Sequence, residues 1–393
     1  MEKESQYLLH LLGACLRGEA PREPGEVDWE RLVQLAQIHS VPGILGYMAM
    51  KYPICPDAQR QRELRELCLK TLSVFARRYA LAEELSAELE TAGIDHILMK
   101  GYVLRDAYPV PELRTFNDVD LVIRPEDRQR SHELMLALGF RVHTDWEPVY
   151  SYVRGQEYYE IHTDIMEIDV SDKADYRGYF ARMWQYARPV SQHSCRFTPE
   201  FHFLYLLTHV AKHVHGAGAG ARMYLDAAAV IRRDGAAMDW DWIAGELEKL
   251  KLTEFAAVVL TAAESWFGVA CPMAYKRVPD SVMAEFEAFT MEAGVFGHHN
   301  REGALAGLKH TDQAQGAARL RQLARRTFPS AKTIQSRYTY LQDKPWLLPA
   351  AWVHRLVKTR GSLGKHAQEA QQILHADTAQ IRRLQDLMRD IGL

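Results

Sequence analysis

The sequence predicts an α/β protein of the α+β kind, with a small mixed-sheet core flanked by N-terminal and C-terminal helical regions. Three observations carry that expectation. Helical periodicity runs from Val27 to about Leu89 and again from Pro199 onward, strand-like runs alternate with helical ones in between, and 393 residues exceed one ordinary core. The segmentation that follows is a helical region at 1–90, a sheet-bearing core at 91–197, a second helical region at 198–310 and a C-terminal helical region at 311–393.

The elements follow in order. Leu32, Leu35, Ala36 and His39 recur at helical spacing until Pro42-Gly43 breaks the pattern, and a long helix then runs from beyond Pro56 to Gly93. "IDHILMKG" is a short β-like run closing on glycine, and "YVLRDAYPVPEL" is a short helix or turn ending in prolines. Strand character returns with Val119, Leu121, Val122 and Ile123. A helix then has Pro125 near its first turn and Gly139 past its end. "VYSYVRGQEYYEIHTDIMEIDV" reads as a hairpin turning at Arg154-Gly155. Phe203, Leu206, Leu207, Val210 and Val214 stripe the next helix, the Gly216–Ala221 run is a flexible connector, and a polar helix closes the chain.

Composition narrows the function classes. A formal net charge of -3 gives no general basic field, which counts against extended, sequence-indifferent nucleic-acid binding. The five cysteines are scattered without a C-x-x-C pair, so neither a disulfide framework nor a thiolate zinc site is expected. No run approaches the roughly 20 apolar residues of a membrane span. A soluble, cytoplasmic protein is the expectation.

The chemistry is concentrated in "RTFNDVDLVI". Period-two geometry sets Asp118 and Asp120 side by side on one face, where their charges repel unless solvent or a divalent cation relieves them. Mg²⁺ takes hard oxygen ligands of this kind, usually one or two carboxylates with waters and substrate phosphates. A third carboxylate on a neighbouring strand would complete a two-metal site for displacement at phosphorus. Glu160 is the candidate, sharing a face with Tyr158 and His162, while Asp164, Glu167 and Asp169 remain rivals. Lys100 and Gly101 stand where a strand gives way to a helix, a place suited to anions. Lys100, Arg105 and Arg114 supply charge for a triphosphate, Arg114 being the best placed.

The run "LMKGYVLRDAYPVPELRTFNDVDLVIRPED", followed by "YYEIHTDI" and "LTHVAKHV…RMYLDAAAVI", resembles the uncharacterised bacterial nucleotidyltransferase family within the DNA polymerase beta-like superfamily. The resemblance implies a nucleotidyltransferase core whose sheet carboxylates bind Mg²⁺, or Mn²⁺ in its place, with helices completing the nucleotide and acceptor sites. By that resemblance Asp118 and Asp120 are the paired metal ligands and Glu160 the third carboxylate. The chain departs from the superfamily in having Tyr102 after Gly101 and a long gap to Asp118. This weakens the phosphate-loop role of Gly101 and shifts part of it to Lys100.

Other signals have plainer readings beside the functional ones. His209 and His213 lie one helical turn apart, as zinc ligands do, but the H-E-x-x-H glutamate is missing, and they read as packing or nucleotide-contacting histidines. His162 either touches substrate or is a satisfied structural histidine. Asp226 either orders the site or packs its helix. The basic run Arg319–Arg326 reads as a solvated helix face. The expected function is transfer of an NMP group from an NTP, ATP foremost, to an acceptor hydroxyl on a small molecule, peptide or protein. The competing expectation is a non-catalytic nucleotide-binding protein on the same fold.

Overall fold

A computed structural model describes residues 2–55, 57–167, 169–294, 324, 327–334, 338, 340–358 and 378–393. The basic run Arg319–Arg326 therefore lies, apart from Ala324, outside the described residues, as does the 310/311 junction.

Four helices open the chain: α1 (Lys3–Arg17), α2 (Trp29–Ile38), α3 (Pro42–Lys51) and the 34-residue α4 (Ala58–Thr91). Their starts are written locally. The Asp28 carboxylate accepts the N–H groups of Glu30 and Arg31, and Asp57 accepts that of Arg60. Pro42 opens α3 at its first turn rather than merely breaking the preceding helix, because a proline lacks only an N–H that has no partner there. Leu8, Leu11 and Leu12 of α1 are fully buried, each contributing roughly 1.5–3 kcal/mol. They pack against α11 (Thr253–Phe267) so closely that a Cβ on Gly13 would lie 2.8 Å from Phe267 Cα, and the Arg17 guanidinium donates to the Phe267 carbonyl.

The sheet has seven strands: β1 (His96–Leu98), β2 (Val119–Ile123), β3 (Arg141–Trp146), β4 (Val149–Arg154), β5 (Glu157–His162), β6 (Ala187–Pro189) and β7 (Ser194–Phe197). Their order is β3-β4-β5-β2-β1-β7-β6, parallel at β2/β5 and β1/β7 and antiparallel elsewhere. The mixed sheet expected from the sequence is present, with three strands beyond those anticipated. The hairpin turn also differs by one residue. Arg154 pairs with Glu157, so the two loop residues are Gly155 and Gln156. Gly155 has φ 60°, whereas Gln156 is not in the left-handed region, the pattern of a type II′ turn.

Between β1 and β2 stands the four-residue α5 (Gly101–Leu104), and α6 (Arg128–Ala137) follows β2. The short α7 (Tyr176–Phe180) precedes β6. Beyond β7 come α8 (Pro199–His215), α9 (Ala221–Asp234), α10 (Trp240–Lys249), then α11 and α12 (Asp280–Ala293). The connector between α8 and α9 is packed rather than loose: residues 218–220 are buried, and the Ala221 N–H donates to His39 Nδ1 at 3.1 Å.

β2 is the middle strand, and all five of its residues are buried. Leu121 and Ile123 face Tyr79, Leu85 and Leu89 of α4, whereas Val122 joins the larger core shared by α1–α3 and α8–α12. By the two-residue period Asp120 points to the same side as Val122. The carboxylate strand thus presents its acids toward α8 and α9. No helix among the described residues is long and apolar enough to cross a membrane.

Candidate active site

The site is built on the turn between β1 and α5. Lys100 holds φ 50° and ψ −124°, a conformation costly for a residue with a Cβ. The surrounding bonds fix it: the Met99 N–H donates to the Asp120 carbonyl at 3.1 Å, and Lys100 Nζ reaches Asp120 Oδ1 at 2.6 Å. At Gly101 a Cβ would fall 2.7 Å from Phe116 Cβ, so the close approach of this turn to the aspartate segment requires glycine. Only four residues of helix follow, too few for an appreciable macrodipole. The anion attraction expected of this turn therefore rests on Lys100 and the backbone N–H groups.

Parallel pairing sets Asp120 opposite Glu160 and Val122 opposite His162. His162 Nε2 lies 3.0 Å from Asp120 Oδ1 and 3.7 Å from Glu160 Oε2. An ionised Asp120 can only accept, which places the imidazole proton on Nε2 and leaves the buried Nδ1 without a partner. The ligand atoms of Asp120, Glu160 and His162 lie within 4.8 Å of one another, the one such cluster among the described residues. Asp118 sits one residue before β2, half-buried. The rivals of Glu160 lie past the end of β5: Asp164 accepts the Met166 N–H, Asp169 accepts the Arg177 N–H, and Glu167 is exposed.

A cavity of about 220 Å³ reaches Asp120, the one member of this cluster in its lining. Lys100, Gly101, Arg114, Asp118, Asp120, His209, His213 and Asp226 line it, with Arg222 from α9. Glu160 and His162 stand beside it on β5. The structure gives Arg114 a partner other than the expected triphosphate. Its guanidinium grips Asp226 through Nε to Oδ1 at 2.8 Å and Nη2 to Oδ2 at 2.7 Å, and donates through Nη1 to the Thr115 carbonyl at 2.6 Å. Tyr108 Oη adds a bond to Asp226 Oδ1 at 2.7 Å. With its fork so occupied, Arg114 fixes the approach to β2. Arg222 was not singled out in the sequence, although its place four residues before Asp226 sets both on one face of α9. On α8, the Nε2 atoms of His209 and His213 are 3.2 Å apart.

Residues 25–268 match the model of a family described as uncharacterised nucleotidyltransferase. The chain belongs to this family. No curated protein matches it. The solution structure of the antibiotic-resistance factor ANT(2'')-Ia aligns at a TM-score of 0.33 and 13% identity, over 47% of this nucleotidyltransferase and 96% of that chain.

The electrostatics of the nucleotidyltransferase site are those of crowded carboxylates. Burial would raise Asp120, but Lys100 and His162 outweigh it and hold the carboxyl at about 2. Burial, together with the charges of Asp120 and Asp118, pushes Glu160 up to about 7, and burial and Asp120 raise Asp118 as well. Two acids kept above their usual range by their neighbours are what a divalent cation relieves, and the donors are hard oxygens. The residues therefore fit a Mg²⁺-type ion. Burial lowers both helix histidines, His213 to about 4, so they line the cavity as neutral rings at neutral pH.

Glu160 makes pH dependence testable. In the native state it keeps a proton up to about 7, whereas an unfolded chain releases it near the ordinary 4.5. The native state thus binds the extra proton between those values, and this residue's contribution to stability falls as pH rises through that window. Urea midpoints of the metal-free protein at about pH 5 and about pH 7.5 should show this decline, and Glu160→Gln should flatten it. An unchanged slope in the variant would remove Glu160 as its source.

Proposed function

We propose that this nucleotidyltransferase moves an NMP group from an NTP, ATP foremost, to an acceptor hydroxyl with release of pyrophosphate, in a reaction dependent on Mg²⁺. Asp118, Asp120 and Glu160 are the residues that would hold the metal ion. When bound, such an ion supplies charge stabilisation at the entering and leaving oxygens. The acceptor oxygen bonds to the α-phosphorus, and the bond from that phosphorus to the bridging oxygen of pyrophosphate breaks. Where Glu160 does not itself hold the ion, its place beside Asp120 suits it to take the hydroxyl proton instead. Lys100 brings to the cavity a charge that it shares with Asp120, and His162 orients Asp120 through the bond from Nε2. The observation that carries the reading is the register of Asp120 beside Glu160 on the central strands, with Asp118 lining the adjoining cavity.

The test is titration calorimetry of ATP, GTP, CTP and UTP, with and without Mg²⁺, on the wild type and on the Asp118→Ala/Asp120→Ala double variant. Metal-dependent binding that disappears in the double variant supports the proposal and identifies the base. A well-folded wild type that binds none of the four overturns it. Binding without pyrophosphate release over a broad panel of hydroxyl acceptors would instead favour a nucleotide-binding protein on the same fold.

A further inference from the structure

The charged groups lining the cavity do not all find partners. Lys100 is paired with Asp120, and Arg114 with Asp226. Two charges of opposite sign are left, Arg222 and Asp118, which line the same cavity and form no ion pair with each other. Arg222 is 8% exposed, and its recorded side-chain bonds run from Nη1 to the Thr115 carbonyl at 2.8 Å and to Thr115 Oγ1 at 3.2 Å. Its Nε is buried without a partner. The placement is also poor for stability alone. Arg222 is in the first turn of a 14-residue helix, where the backbone dipole disfavours a cation. Departures of this kind gather at functional sites, where a ligand offsets them.

Resting on the proposed nucleotidyl transfer, we infer that Arg222 binds the β,γ-phosphates of the incoming triphosphate, in the cavity that Asp118 also lines. A metal–triphosphate complex brings both missing charges at once: its cation answers Asp118, and its outer phosphates answer Arg222. The planar guanidinium, anchored through Nη1 by Thr115 and covered at Nε, offers its Nη2 N–H groups to phosphate oxygens. The nucleoside and its α-phosphate are left to other residues. Arg222 therefore discriminates a triphosphate from a monophosphate.

The test compares calorimetric binding of Mg²⁺-ATP and of AMP to the wild type and to Arg222→Gln, with the other NTP/NMP pairs substituted if ATP is not the nucleotide. Arg222→Gln should weaken triphosphate binding about 10-fold to 100-fold, the scale of one charge-assisted contact, and leave monophosphate binding unchanged. Equal loss for both nucleotides would mean that Arg222 only shapes the Thr115 segment, and the inference fails. Full triphosphate affinity in the variant also overturns it while leaving nucleotidyl transfer standing, whereas a wild type that binds no nucleotide overturns both. Should Arg222→Gln not fold, the wild type still decides: a triphosphate bound no more tightly than its monophosphate refutes the assignment.

Discussion

Asp120→Asn is expected to lower the rate of pyrophosphate release on the order of 10³-fold, the scale of losing one preorganised charge in a water-poor site. The substitution keeps an oxygen able to accept from Lys100 Nζ and His162 Nε2, the two bonds Asp120 accepts at 2.6 and 3.0 Å. It removes the charge, and with it the strongest claim of this strand on a divalent ion. Glu160 should respond as well, because the Asp120 carboxylate is one of the charges holding it near 7. In the metal-free variant the fall in stability with pH that Glu160 contributes should therefore end at lower pH. The measurement is pyrophosphate release across pH, with circular dichroism to show a retained fold. Transfer at the wild-type rate would place the chemistry elsewhere in the molecule.

Asp226→Ala should cost roughly 3–5 kcal/mol of stability, the usual consequence of leaving a buried cation without its partner. Arg114 and Asp226 are only 6% and 4% exposed. Removing the carboxylate strands the guanidinium, deprives Tyr108 Oη of its acceptor and leaves Arg222 beside a second uncompensated cation. Replacing both partners, as Arg114→Met/Asp226→Leu, should recover much of the loss, because neither charge then has to be desolvated. Urea denaturation of the single and double variants decides the matter. A single variant within about 1 kcal/mol of wild type would mean that water or a shifted neighbour satisfies Arg114.

The parts of the fold legible in the sequence were those governed by local pattern. The 34-residue α4, the proline-opened α8 and the aspartate strand each carry their own periodicity and end signals. β3 is weaker, because Arg141–Trp146 is exposed or half-buried throughout and only Val142 and Trp146 in it are apolar. β6 and β7 are three and four residues long at the sheet margin, below the length at which period two is readable. The site divides in the same way. Asp118, Asp120 and Glu160 could be picked out because strand parity selects them, and Lys100 because it ends a strand at glycine. Arg114 reads as a phosphate ligand in the sequence because nothing within ten residues reveals that its partner lies 112 positions away. Arg222 is hidden for the same reason, since an arginine on a helix reads as solvated until the packing around it is known.

The seat of α1 against α11 bears on how the chain is made. Gly13 and Arg17 meet Phe267, and the Arg17 contact spans 250 residues. At roughly 5–20 residues per second, a ribosome needs on the order of 10–50 s to deliver that partner. Throughout that interval the leucines of α1 have no α11 to cover them, and the sheet, with its central strand unprotected by α8 and α9, is forming meanwhile. Slow translation, or a block downstream of α10, would lengthen that exposure of apolar surface and favour aggregation.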